Sequence, residues 1–168
     1  MALLSQAIAE GMIGARPAAS AGTAGRLYWA TDTGVLYRDN GVSWDVVASA
    51  EAAIEVTIDG GGAEITDGVK LDVEVPFTFL IDTMTIVADQ AGSIVVDIWQ
   101  DTYANYPPTD ADSITAAAPP TLAAAIKARD AVLTDWILTL DKGSTLRINV
   151  DSCTTITRVT ISLRGLRT

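Results

Sequence analysis

Residues 144 to 163 read STLRINVDSCTTITRVTISL. Leu146, Ile148 and Val150 alternate with Arg147 and Asn149. After a DSC turn at 151–153, Thr157, Val159, Ile161 and Leu163 alternate with Arg158, Thr160 and Ser162. A period of two sends successive side chains to opposite faces of an extended chain, so each half reads as a half-buried strand.

The same alternation extends outward through the chain. In IEVTI (54–58), Ile54, Val56 and Ile58 share a face. In VKLDVEV (69–75), Val69, Leu71, Val73 and Val75 do so, and in SIVVDIWQ (93–100), Ile94, Val96 and Ile98. Trp136, Leu138 and Leu140 line up in WILTL, and FTFLIDTMTIVA (77–88) adds one long strand or a bent pair. The intervening DGGG, ADQAG and DKGS segments suit tight turns. Roughly seven short strands at this spacing predict a mainly β chain, an antiparallel β-sandwich or jelly-roll over 51–168. Two stretches interrupt it. DTYANYPPTDADSITAAAPP (101–120) holds four of the six prolines and reads as a surface excursion, because consecutive prolines cannot join a central strand. TLAAAIKARDAVL (121–133) has high helix propensity, which predicts a short helix, with an irregular crossover as the rival.

Residues 1–25 read as an extended arm. Leu3, Leu4, Ala7 and Ile8 have helical spacing within 1–13, at the marginal length for an isolated helix, and GARPAASAGTAG (14–25) is linker-like. Residues 26–47 change character: Tyr28, Trp29, Tyr37 and Trp44 sit among β-branched residues, separated by TDTG and DNG turns. That pattern predicts a small aromatic β-meander, too small to stand alone, whose rings form a miniature core.

Eleven Lys and Arg against 21 Asp and Glu give a net charge of −10, which disfavours a nucleic-acid partner. Arg158, Arg164 and Arg167 cluster near the C-terminus and read as a solvated strand face. No run of 18 apolar residues occurs, so no membrane span is expected. The N-terminus has no basic residue before Arg16, and secretory export is not expected. The single Cys153 excludes an intrachain disulfide and suits a reducing cytoplasm.

Histidine is absent, which removes the commonest general base and metal ligand. No Ser-His-Asp or Cys-His set can form, and one Cys makes no zinc site. Gly60, Gly61 and Gly62 lack the Lys-Ser/Thr of a phosphate loop and read as a hairpin end. The remaining candidates are carboxylates: Asp97 and Asp101 flank Trp99, and Asp110 and Asp112 lie in the proline-rich loop. Paired carboxylates can cleave glycosidic bonds, and acidic loops beside Tyr103 and Tyr106 can bind sugar or calcium. Aspartate is also common in loops because it caps turns, and that is the reading favoured here. We expect no enzyme activity, cofactor or metal.

Two stretches resemble bacteriophage virion proteins. GRLYWATDTGVLYRDNGVSW (25–44) is similar to a short module near the N-termini of phage fibre and virion-associated proteins. Leu27-Tyr28-Trp29, Thr31-Asp32-Thr33, Leu36-Tyr37, Asn40-Gly41 and Trp44 fill its places. SIVVDIWQDTYANYPPTDADSIT (93–115) and TLRINVDSCTTITRVTISL (145–163) look like the C-terminal β domain of phage structural and tail proteins. The resemblance implies a homotrimer located in the virion and assembled in the host cytoplasm. The chain lacks a fibrous repeat, which favours a head decoration or cement protein seated on the major capsid protein. Its N-terminal region would be the anchor, with Leu27, Tyr28, Trp29, Tyr37 and Trp44 as contacts. The alternative is a tail-fibre or baseplate-type receptor-binding protein, touching a host surface glycan through Trp99, Tyr103 and Tyr106. A glycan depolymerase using aspartate pairs is the least favoured reading.

Overall fold

The computed structural model describes residues 8–48, 51–115 and 118–167. The protein is mainly β, as the alternation predicts, with two sheets and no α-helix among the described residues. It divides into two compact units, one running up to Glu51 and taking in Leu166 and Arg167, the other being Ala52–Gly165.

The first unit is a four-stranded sheet of β1 (Ile8–Gly11), β2 (Leu27–Ala30), β3 (Val35–Asp39) and β4 (Trp44–Ala48), in that spatial order. β2, β3 and β4 form the expected antiparallel meander. β1 pairs in parallel with β2, Ile8 beside Leu27 and Gly11 beside Ala30. The helix expected over 1–13 is therefore not formed in its described part, and residues 1–7 lie outside the described residues. Over Ile8–Gly11 the ladder that β2 offers outweighs the marginal helical tendency of so short a segment. Residues 12–25 are not a free arm either. They fold over the meander through two short 3-10 turns, Ile13–Ala15 and Ala21–Thr23.

The second unit is built on β5 (Glu51–Asp59), β6 (Gly68–Glu74), β7 (Phe79–Thr102), β8 (Thr121–Asp130), β9 (Thr139–Leu140), β10 (Ser144–Thr154) and β11 (Arg158–Arg167). The order is β5-β11-β7-β10-β6, with β8 and β9 also pairing β7. The sheet curls into a half-barrel, consistent with sandwich packing. Its concave side collects the predicted apolar faces into one core: Ile54 and Ile58, Ile94, Val96 and Ile98, Leu146, Ile148 and Val150, Val159, Ile161 and Leu163. Burying each such side chain contributes about 1.5–3 kcal/mol. On β6, at the end of the sheet, Val69 stays exposed and Leu71 and Val73 half-buried.

β7 is the spine. Straight, its 24 residues would span about 80 Å, more than twice the width of a domain this size. It therefore bends at ADQAG, which is not the expected turn. Pairing with β8 jumps from Val87 opposite Lys127 to Gly92 opposite Ala125, so β7 inserts extra residues there. A Cβ on Gly92 would come within 2.5 Å of the Thr154 carbonyl oxygen and 2.7 Å of Ile156 Cγ1, so glycine alone fits the bend. DSC is likewise within β10, at a bulge between Val150 and Ser152, and the chain turns at Thr155, where φ is 77°.

The helix expected over 121–133 is a correction. Thr121–Asp130 is β8, an edge partner of β7 that buries Leu122. Alanine-rich propensity is a weak prior, and tertiary pairing overrides it. WILTL is strand only at Thr139–Leu140. Trp136 is buried in a loop, donating Nε1–H to the Ala118 carbonyl at 2.8 Å.

Candidate functional site

In the first unit, strand alternation places Tyr28, Ala30, Val35, Tyr37 and Asp39 on one face of the sheet, and residues 12–25 cover it. Tyr28 is buried and donates its hydroxyl to the Met12 carbonyl at 2.9 Å. Trp44 donates Nε1–H to the Pro17 carbonyl at 2.8 Å and meets Tyr28 edge-on, with centroids 6.0 Å apart. Arg16 stacks over Tyr37 at 4.2 Å and lies 5.3 Å from the Trp44 ring, and Arg26 lies 5.0 Å from Trp44. These rings form a small cation–π core.

Asp39 fixes the cover. Its buried carboxylate accepts from Thr23 Oγ1 (2.7 Å), Gly41 N (2.8 Å), Ser20 N (3.4 Å) and Arg26 Nε (3.1 Å). Burial alone would raise its pKa, but these four donors outweigh it and hold the pKa below the ordinary value. Asp39 and the two arginines went unnoticed in the sequence. The available signal was an acidic residue at an inward strand position. Motif residues Asp32 and Asn40 cap the backbone N–H groups of Ile13, and of Val42 and Ser43.

Of the five proposed anchor residues, Tyr28, Tyr37 and Trp44 are thus committed internally. Leu27 and Trp29 lie on the opposite face with Ile8 and Leu36. That face remains partly bare: Trp29 is 38% exposed and Ile8 46%.

In the second unit, Tyr103 and Tyr106 lie together beside β6, lining an open groove of about 450 Å³ with Asp72, Glu74 and Thr145. Arg147 organises it. Its Nε and Nη2 donate to Asp72 at 2.7 and 2.9 Å, its Nη1 donates to the Pro108 carbonyl at 3.3 Å, and it lies 5.4 Å from the Tyr106 ring. Tyr106 donates its hydroxyl to Asp72 at 2.9 Å. The hydrogen bonds from Arg147, with that from Tyr106, hold the Asp72 carboxyl below its ordinary pKa, and Asp72 pushes the Arg147 pKa up. Tyr103 is 81% exposed and Tyr106 51%, so two rings stand beside the Glu74 carboxylate.

Trp99 is elsewhere. It is 9% exposed, behind the proline-rich loop, and donates Nε1–H to Asp97 at 2.6 Å. Asp97 is itself buried and also accepts from the hydroxyls of Ser113 (2.7 Å) and Thr115. The loop supplies a bridge, Ser113 opposite Trp99, that covers the outer side of β7. Two other loop aspartates cap turns: Asp101 accepts from Thr102 N and Asn105, and Asp112 from Thr109 N and Oγ1. Among the described residues no group of three His, Cys, Asp or Glu is arranged to hold a metal ion. Cys153 is half-buried, and burial pushes its thiol pKa up.

No family model, curated protein or solved structure matches this chain.

Proposed function

We propose that this chain is a bacteriophage virion structural protein: a decoration or cement protein on the outer surface of the head, homotrimeric, and seated on the major capsid protein through its N-terminal unit. The observation that carries this reading is the partly exposed apolar cluster on the outer face of that unit, bordered by Glu10 and Arg38. Tyr28, Tyr37 and Trp44 are held inside with Arg16, Arg26 and Asp39, while Ile8, Leu27, Trp29 and Leu36 are left for a partner. Charge is consistent with the same division. Ala52–Gly165 has 7 Lys and Arg against 16 Asp and Glu, and the remainder has four against five. A near-neutral unit can seat on protein without the long-range repulsion of an acidic body. The resemblance of residues 25–44 to phage virion modules supplies the class of partner.

Gold-labelled antibody imaging of intact particles from the source phage tests this reading. Label spread over the head is the expected result. Label confined to the tail would overturn decoration, and unlabelled particles would overturn a virion role altogether.

One observation favours a second reading, a tail-borne receptor-binding protein. Tyr103 and Tyr106 share a groove with Asp72 and Glu74, and such exposed rings dock the apolar faces of sugars. Tyr103→Ala is the clean probe, because Tyr106 also supports Asp72. Reduced adsorption to host cells would favour this reading, and unchanged adsorption would count against it.

A further inference from the structure

The convex face of the curled sheet carries a second, chemically different surface. Strand alternation that sends Ile54, Ile161 and Ile86 inward leaves Glu55, Ser162 and Thr85 on the other side. A depression of about 270 Å³ lies there, lined by hydroxyls of Thr83, Thr85, Thr160 and Ser162 and by the guanidinium groups of Arg129 and Arg164. Two neighbouring depressions extend it. One shares Thr85 and Arg129 and adds Lys127, and the other shares Thr160 and adds Arg158. β8 makes this possible: as a strand it places Arg129 opposite Thr85 and Lys127 opposite Val87.

The cations here, like Arg16, Lys70 and Lys142 elsewhere, are mostly without an ion-pair partner among the described residues. With 21 acidic residues for 11 basic ones, carboxylate partners are in excess. Yet among the described residues Lys127, Arg129 and Arg158 are in no salt bridge, and Arg164 has only a long contact of 3.5 Å with exposed Asp82. Arg129 donates Nε–H to Thr85 Oγ1 at 3.1 Å and Arg164 donates Nη2–H to Thr83 Oγ1 at 3.2 Å, so hydroxyls hold both guanidinium groups over the trough. Two carboxylates line the trough: Glu55, at the β5 rim of the central depression, and Asp89 beside Arg158, where it accepts from the backbone N–H groups of Thr157 and Arg158.

We infer that this trough binds an anionic polysaccharide. Threonine and serine hydroxyls donate to and accept from sugar hydroxyls, and a guanidinium pairs with a carboxylate or phosphate through two parallel hydrogen bonds. Two cations on β8, Lys127 and Arg129, and two on β11, Arg158 and Arg164, border the trough and match a polymer with repeated charge. The surface is open, so each contact is weak, and affinity grows with the number of sites engaged. This surface is separate from the Tyr103 groove, and the inference does not depend on where in a particle the chain sits.

The test is an NMR titration of the full chain with three probes: oligogalacturonate, a glycerol-phosphate oligomer and uncharged maltooligosaccharide. One or both charged probes should shift the backbone amides of Thr83, Thr85, Thr160 and Ser162, and the neutral probe should not. Response to oligogalacturonate alone assigns the charge to a carboxylate, response to the phosphate oligomer alone to a phosphate, and response to both to either group. Arg129→Gln, at an exposed position, should weaken binding about twofold to fivefold, while Lys142→Gln, an exposed cation outside the trough, leaves it unchanged. Silence at those amides with both charged probes would overturn the inference. So would equal binding of the neutral probe, or wild-type affinity in Arg129→Gln.

Discussion

Arg147 on β10 and Asp72 on β6 meet as register partners and in two parallel hydrogen bonds, Nε to Oδ1 at 2.7 Å and Nη2 to Oδ2 at 2.9 Å. The pair ties the edge strand β6 to its neighbour and carries Tyr106 and the Pro108 carbonyl on the same guanidinium. Asp72→Asn should destabilise the protein by about 1–2 kcal/mol at neutral pH, discounted for partial solvent access. The folded pKa of Asp72 lies below the ordinary 3.8, so its contribution is full above that value and is lost as pH falls through the folded pKa. Urea unfolding of wild type and variant should therefore keep its full difference above the ordinary value of 3.8 and converge only as pH falls below it. A difference that persists unchanged at the acid end would refute the assignment.

Trp99→Phe removes the indole N–H from Asp97 and should cost about 1–2 kcal/mol. Asp97→Ala should cost more, because the hydroxyls of Ser113 and Thr115 lose their acceptor with it. Amide exchange should accelerate at Ile114, whose N–H is bonded to the Ile98 carbonyl at 2.9 Å. Unaltered protection at Ile114 in Asp97→Ala would mean the loop is held by other contacts.

Gly165 lies against the backbone of β7: an added Cβ would stand 1.9 Å from the Leu80 carbonyl oxygen. Gly165→Ala must push β11 away from β7, at a cost of at least about 1–3 kcal/mol. Gly61, with open space around it, differs in kind, since its φ of 67° makes any penalty conformational. Thermal unfolding of Gly165→Ala should show a clearly lowered Tm.

Asp39→Asn should loosen the cover of the first sheet. Two of its donors, Thr23 and Ser20, belong to residues 12–25, and Arg26 packs on Trp44. Because the Asp39 pKa is held below the ordinary value, its support is complete above that value and fades as pH falls through the folded one. Amide exchange at Thr23 and Gly41 should rise in the variant at neutral pH. The Trp44 fluorescence of wild type should drift toward that of the variant on acidification.

Most strands with strict alternation were legible, their apolar faces entering the core at Ile54 and Ile58 and at Leu146, Ile148 and Val150; the 69–75 stretch, at the end of the sheet, buries only Val75 of its predicted face. Features that depend on a partner strand were not. Residues 121–130 carry helix-forming alanines, yet pair with β7; ADQAG carries turn residues, yet continues β7 through a bend. The candidate site was half legible. Tyr103 and Tyr106 stand at the surface, whereas Trp99, on the supposedly outward face of its strand, is buried by a loop that returns at Ser113.

By itself the sequence determined the β class, the inward faces of the principal strands and the turn chemistry of the N-terminal meander, because each follows from neighbours one or two residues apart. Only the tertiary structure decided which carboxylates are spent internally, as at Asp39, Asp72 and Asp97, and which cations of β8 and β11 come together beside β7. Those pairings join residues up to 75 positions apart, and the free energy of ordering them exists only once the strands between have paired.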